Sequence, residues 1–269
     1  MLNRETDKLI ISCMKIMKAS GMAIVLLLVL AGCALESYLK RGIGWDCPDQ
    51  QGLHHVVLTT PGDDRGHCGG SLLSSEWIIT ALHCDKINLE AIVGKHPTGK
   101  GLTIHIEDGD KYKYKTEGVE HDIMLIKMDI KDTNYLITIP LPHQNCKAPA
   151  LHATVDIVGW MTATVGRFTN KKNIYHACKL QCGNLTVVEC QSPNCPYLQD
   201  YQCQHIFCAI GTTTKCDGCH GDSGSSLISG GKLHGVLVMS DDYFCGDTVD
   251  FMDICHTEYR EWIFTTTGL

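Results

Sequence analysis

Cysteine usage constrains this chain more than any other feature: sixteen fall within 269 residues. Cys13 and Cys33 lie in an N-terminal stretch of distinct composition. The other fourteen run from Cys47 to Cys255 and are even in number, as complete pairing requires. Pairing on that scale needs an oxidising compartment, and the N-terminus agrees. Lys15 and Lys18 precede the apolar run Met22–Ala31, too short for a bilayer span of roughly 20 residues. Small residues Gly32 and Ala34 follow. Residues 1–34 therefore read as a signal peptide cleaved after Ala34, with Met14 or Met17 as alternative start sites. A membrane anchor is the weaker alternative, because the run is short and Glu36 follows it closely. The sequon Asn184-Leu185-Thr186 is an N-glycosylation acceptor, expected on a surface loop.

Charge removes another class. The chain carries 23 basic and 30 acidic residues, of which six and three lie in residues 1–41. The remaining 17 and 27 give the body a net charge of −10, which repels phosphate backbones and argues against nucleic acid as a partner. Lys111, Lys113 and Lys115 alternate with tyrosines and read as a solvated strand or hairpin.

After residue 41 the chain is a series of short apolar runs, among them His55–Leu58, Glu76–Ala81, Leu102–Ile106, Asp122–Met128, Thr154–Val158 and Leu233–Met239. Most are rich in Val, Ile or Leu and too short for helices. Pro61-Gly62-Asp63, Asp108-Gly109-Asp110 and Ser229-Gly230-Gly231 break them. The pattern is that of a β-sandwich or barrel. One helix is expected, from Cys255 to Phe264, with Tyr259, Trp262 and Ile263 on one face. Cys178 to Cys208 is cysteine-dense and expected to be loop-rich.

Three segments carry chemistry: Cys68-Gly69-Gly70-Ser71-Leu72 with Trp77-Ile78-Ile79-Thr80-Ala81-Leu82-His83-Cys84; His121-Asp122-Ile123-Met124-Leu125-Ile126-Lys127; and Gly221-Asp222-Ser223-Gly224-Ser225. A serine hydroxyl needs a neighbouring base to take its proton as it attacks. His83 is the candidate base and then acid, and Asp122 the group that fixes its tautomer. Each motif alone has a bland explanation: a surface histidine, a strand-end aspartate, a glycine turn. Their order, His then Asp then Ser, separates this chain from folds that run Ser-Asp-His or Asp-His-Ser.

Together and in that order the segments resemble the chymotrypsin/trypsin-like (S1) serine peptidases, over roughly residues 40 to 264. The resemblance implies an all-β fold of two packed six-stranded Greek-key barrels with a C-terminal helix. It divides the chain into a propeptide (35–41) and a peptidase domain (42–269), with barrels at about 42–145 and 146–254 and the helix at about 255–264. It implies His83, Asp122 and Ser223 as catalytic residues and the N–H groups of Gly221 and Ser223 as the oxyanion hole. The activity expected is peptide hydrolysis through an acyl-enzyme by a secreted monomer. Polypeptide substrates and protein protease inhibitors are the expected partners, with no cofactor and no metal.

The resemblance also implies the bridges Cys47–Cys178, Cys68–Cys84, Cys146–Cys255, Cys190–Cys208 and Cys219–Cys245, leaving Cys182, Cys195, Cys203 and Cys216 unassigned. Val155 and Ser229 occupy the two places of a family bridge whose ends are absent together. Asp217 stands where trypsin-like members hold the Asp that selects Arg or Lys. Val238-Met239-Ser240 replaces Ser-Trp-Gly in the substrate-binding strand, and Val249 or Asp250 falls where a pocket glycine is expected. Cleavage after Arg41 would free Gly42 to pair with Asp222, one residue short of the family's spacing to Cys47; cleavage after Lys40 restores the spacing but begins with a charged Arg. Lys95 in Gly94-Lys95-His96 stands where calcium-binding members have an acid, so no calcium requirement is expected.

Two rival readings remain. A non-catalytic binding protein could use the same fold, in view of the altered N-terminus and pocket. Cys216-Asp217-Gly218-Cys219-His220 fits the c-type haem attachment pattern, and C-x-x-C alone can mean zinc or redox chemistry.

Overall fold

The computed structural model describes residues 45–63, 66–130, 136–165, 172–190, 205–211, 223–239 and 248–269, with only the backbone path for 161–165, 172–178 and 239. All of these belong to one compact unit, Gly42–Leu269. The expected signal peptide, propeptide and cut at Arg41 lie outside the described residues. Among the described residues, no helix is long and apolar enough to cross a membrane.

Among the described residues, fourteen strands form two seven-stranded antiparallel sheets. The first holds β2 (His55–Thr59), β3 (Cys68–Leu72), β4 (Trp77–Thr80), β5 (Glu90–Val93), β6 (Leu102–His105), β7 (Lys111–Thr116) and β8 (Val119–Lys127) in the order β6-β5-β2-β3-β4-β8-β7. The second holds β1 (Trp45–Asp46), β9 (Thr154–Val165), β10 (Lys172–Val188), β11 (Ile206–Gly211), β12 (Ser226–Ser229), β13 (Lys232–Met239) and β14 (Val249–Asp253). Its order is β1-β10-β11-β14-β13-β12-β9, and β9 also pairs with β10. That pairing closes six strands into a barrel, with β1 added at β10; the first sheet curls as a half-barrel. This is the expected all-β, two-barrel architecture.

β2, β4 and β8 are rich in Val, Ile and Leu, which suit a pleated, buried surface, and their interior residues form the core. Val56, Leu58, Ile78, Ile79, Ile123, Leu125 and Ile126 are all fully buried. The same cluster continues through Val236, Val238, Ile254, Tyr259 and Ile263, so one apolar mass links the first sheet, the second sheet and the helix. Val155, Ile157, Leu185, Phe207, Leu227 and Phe251 fill the second barrel.

The helix α1 runs Thr257–Thr267, two residues later at its start and three at its end than the sequence suggests. Cys255 is held back by its bridge to Cys146 and by an N–H bond of 2.9 Å to the Asp253 carboxylate. At the far end Gly268 takes a left-handed φ of 78° and donates to the Phe264 carbonyl, a glycine C-cap. The Lys/Tyr run forms the β7–β8 hairpin as expected. Two of its lysines are engaged, however: Lys111 and Lys113 reach the Asp85 carboxylate at 2.8 and 2.7 Å.

Two expectations need correction. Cys47 bonds to Cys182, not Cys178, with Cα atoms 4.9 Å apart. The strand pairing dictates it: Trp45 lies opposite Cys182, Asp46 opposite Gln181, and Cys47 N–H donates to Leu180 O at 2.8 Å. Cys178 is four residues away along the same strand, about 13 Å at a normal rise. Residues 178–188 are also strand rather than loop, and the Asn184 sequon sits on that strand. Asn184 Nδ2 donates to Asp156 Oδ1 at 2.5 Å across the β9–β10 pair. The bridges Cys68–Cys84, Cys146–Cys255 and Cys190–Cys208 are present. Cys219–Cys245 and residues Cys195, Cys203 and Cys216 lie outside the described residues. Leu227 opposite Ile157 and Ile228 opposite Asp156 carry the register on towards Ser229 and Val155, the pair that replaces a bridge.

Candidate active site

Antiparallel register brings His83 and Asp122 together. Ile78 to Thr80 pair with Ile126 to Met124, so the chain leaving β4 runs back past Asp122 in β8. A single 3₁₀ turn, Leu82–Cys84, follows with Leu82 and Cys84 buried and His83 between them. The Cys68–Cys84 bridge fixes the end of that turn to β3. His83 keeps 27% of its side chain exposed, whereas Asp122 keeps 1%, so the imidazole is reachable and the carboxylate is not.

Both Asp122 oxygens are committed to one residue. The His83 backbone N–H donates to Oδ1 at 2.8 Å, and His83 Nδ1–H donates to Oδ2 at 2.7 Å. An ionised carboxylate only accepts, so the proton must sit on Nδ1 and the Nε2 lone pair is left free. That is the tautomer a general base needs.

Ser223 comes from the turn that opens β12. Its carbonyl accepts from Gly69 N–H of β3 at 2.7 Å, and Cys84 Sγ lies 3.6 Å from the same oxygen. The serine is thereby held beside the residue that follows His83. Gly224 N–H donates to Leu237 O at 2.7 Å and Leu237 N–H to Ser225 O at 3.0 Å, anchoring the turn on β13. Gly224 has φ +83°, and a Cβ there would meet Gly69 O and Thr80 Oγ1 at 2.2 Å, so glycine is required.

Behind the serine turn lies a buried polar layer that the sequence reading missed. His54 Nε2 and Ser226 Oγ are 2.9 Å apart. His55 and Ser225 press against Gly69, where a Cβ would come within 2.8 Å of His55 Cε1 and 2.2 Å of Ser225 Oγ. Burial drives the His54 pKa down to about 4. Burial first, and then the neighbouring His54, drives His55 to about 3. Both rings are neutral at physiological pH. The only signal in the sequence was a His-His pair at the start of a Val-Val-Leu strand.

The remaining expected residues divide. Asp217, Gly221, Asp222 and Ser240 lie outside the described residues. Val238 is on β13 with its side chain in the core. Next to it Met239 pairs with Asp250 of β14, and burial pushes the Asp250 carboxyl up to about 6. Lys95 Nζ stands 4.8 Å over the Trp160 ring, a cation directed at an aromatic face.

The family model for trypsin matches residues 44–263. The chain belongs to the trypsin family. Among curated relatives it is similar to Trypsin-3 of Salmo salar, at 29% identity over 83% of this chain and 91% of that protein. It is also similar to the serine protease VLSP-3 of Macrovipera lebetinus, at 27% identity over 78% and 81% respectively. Among solved structures, neuropsin, a serine protease expressed in the limbic system of mouse brain, superposes with a TM-score of 0.61. That match covers 83% of this chain and 98% of neuropsin at 24% identity, and bears on the fold. The two sheets of this trypsin-family chain meet where Gly69 N–H holds Ser223 O, which puts the candidate triad at their junction.

Proposed function

We propose that this chain is a secreted serine endopeptidase, matured by cleavage after Arg41, that hydrolyses peptide bonds through an acyl-enzyme on Ser223 and prefers Arg or Lys before the scissile bond. The observation that carries the reading is the His83–Asp122 pair: a buried carboxylate with both oxygens on one half-open imidazole, beside the serine turn. A surface histidine has no need of a partner held twice.

In this mechanism Ser223 Oγ attacks the scissile carbonyl carbon while His83 Nε2 takes the hydroxyl proton. The carbonyl oxygen becomes an oxyanion held by the N–H groups of Gly221 and Ser223, each worth about 2.7–4 kcal/mol in related sites. Collapse breaks the C–N bond, and His83 returns the proton to the leaving amine. Water, deprotonated by the same nitrogen, then releases the acid from Ser223. Asp122 remains ionised and stabilises the imidazolium at both steps. The preference for a cationic side chain rests on Asp217 six residues before Ser223. Asp250 supports it, because above about pH 6 it adds a carboxylate beside the end of β13.

The test is labelling by a fluorophosphonate probe of protein verified as cut after Arg41, with Ser223→Ala alongside. Labelling that disappears in the variant, together with peptide cleavage after Arg or Lys that Asp217→Asn weakens, is the expected result. Verified cleavage without labelling would overturn the reading and leave a binding protein on a peptidase fold.

A further inference from the structure

On the side of β8 that faces α1, a second group of histidines gathers that the proposed mechanism does not use. His205 immediately precedes β11 with a left-handed φ of 60°, and its carbonyl accepts from Asp253 N–H at 2.8 Å. His256 is the N-cap immediately before α1, and Glu258 lies in the first turn. One ligand atom from each of the three falls within 4.8 Å of the other two. The His205 and His256 rings stack with centroids 3.4 Å apart, and His205 Nε2 is 3.8 Å from Glu258 Oε2.

We propose that His205, His256 and Glu258 form a binding site for a zinc-class divalent cation, tying the start of β11 to the start of α1 and separate from the triad. Two imidazoles and one carboxylate, with a fourth position open to water, are a donor set suited to zinc. The first independent observation is unsatisfied burial. His256 Nδ1 is buried without a hydrogen-bond partner, and so is Nε2 of the fully buried His121, whose ring centroid is 6.0 Å from that of His205. A cation would give the His256 nitrogen the electrophile it lacks, beside a second unsatisfied imidazole nitrogen on His121.

The second observation is that the ligands already have outer partners. Tyr114 Oη donates at 2.8 Å to Glu258 Oε2, the oxygen that also faces His205, and so holds the carboxylate at the cluster. His121 Nδ1 and Tyr259 Oη are 2.7 Å apart, which orients the His121 ring beside the cluster. Metal-binding sites rely on such outer hydrogen bonds to aim their ligands. Glu258 keeps 47% of its side chain exposed, so an ion can enter from solvent. Binding must splay the parallel rings until both lone pairs point at one ion.

The experiment uses the full chain stripped of metal with EDTA. Zinc is titrated by calorimetry, cobalt by its visible ligand-field absorption, and thermal unfolding is followed with and without zinc. The variants are His205→Asn and His256→Asn, because Asn tolerates the left-handed backbone at 205 and caps a helix at 256. Exposed Glu258→Gln serves as a third variant should either fail to fold. His83→Ala tests binding at the catalytic imidazole.

The expected result is one equivalent of zinc, weakened by about tenfold or more in each cluster variant and unchanged in His83→Ala. Zinc should also raise the unfolding temperature of the unsubstituted chain and not of the cluster variants. Binding that is absent, that is equal in the cluster variants, or that is lost only in His83→Ala would overturn the proposal.

Discussion

In the first sheet, His83 and Asp122 are joined by side-chain hydrogen bonds between neighbouring antiparallel strands, with a disulfide closing the turn that carries the histidine. In the second, the bonds that position Ser223 among the described residues are made by its main chain. Its turn is held by main-chain bonds to β3 and β13 and by a glycine that no other residue can replace. The first half is fixed by chemistry at two residues; the second depends on close approach between two sheets. Orientation of the base should therefore fail through electronic changes that leave the fold intact. Presentation of the nucleophile should fail through packing changes that touch neither catalytic side chain.

The largest effect belongs to the first half. In Asp122→Asn one of the two carboxylate acceptors becomes an amide donor facing the His83 backbone N–H or Nδ1. The side chain resolves the conflict by keeping its oxygen on the backbone N–H, which moves the ring proton to Nε2. The base is then occupied. A loss of about ten-thousand-fold is expected in the fluorophosphonate labelling rate, with the urea midpoint little changed. A loss below tenfold would mean that Asp122 does not set the tautomer.

Next comes the second half. Gly224→Ala forces a Cβ to 2.2 Å from Gly69 O and Thr80 Oγ1 at a φ of +83°. The main chain at Gly69 on β3 and the Thr80 side chain on β4 must yield, with an expected cost of about 4 kcal/mol, at the upper end for one substitution. The two sheets should separate locally at Ser223, so labelling falls while the His83–Asp122 bond, read from the downfield Nδ1 proton in NMR, persists. Equal loss of that proton signal would show that the halves are not independent.

The contrast also explains what could be read from the sequence. Runs such as Trp77-Ile78-Ile79-Thr80 and Ile123-Met124-Leu125-Ile126 announce buried strands by composition alone, so the β architecture is legible there, whereas the His83–Asp122 pairing is legible only through the order of the motifs and the resemblance they carry. The resemblance implies Cys178 as the partner of Cys47, whereas the β1–β10 register, a non-local property, brings Cys182 to it. The alternation of Leu180 with Cys182 and of Leu185 with Val187 did mark the strand, but Gly183 and Asn184 obscured it. His54 and His55 were invisible as a support for Ser223. Their neighbours Ser225 and Ser226 stand about 170 residues along the chain, as the 172-residue gap between His54 and Ser226 illustrates.

The last prediction concerns that hidden support and separates it from the general acid sensitivity of the fold. His54, with a pKa near 4 when folded against 6.5 unfolded, binds its proton more readily in the unfolded chain. Stability attributable to it is therefore complete above about pH 6.5 and is lost as pH falls towards 4, by about 3 kcal/mol over that window. His55 acts in the same direction, reaching further down, to about 3. Asp250 opposes both: its raised pKa of about 6 makes the folded chain bind a proton that the unfolded chain lacks, so acidification towards 3.8 relieves its burial. The net slope of the unsubstituted chain thus mixes opposite signs, and a difference measurement is needed. Replacing the ring in His54→Gln retains a polar partner for Ser226 and removes the titration. Urea unfolding from pH 7.5 to 4 should show the two proteins converging in stability as pH falls, because only the histidine form is penalised by acid. Parallel curves would mean that His54 titrates normally, and that the polar layer beneath Ser223 opens to water before the rest of the fold gives way.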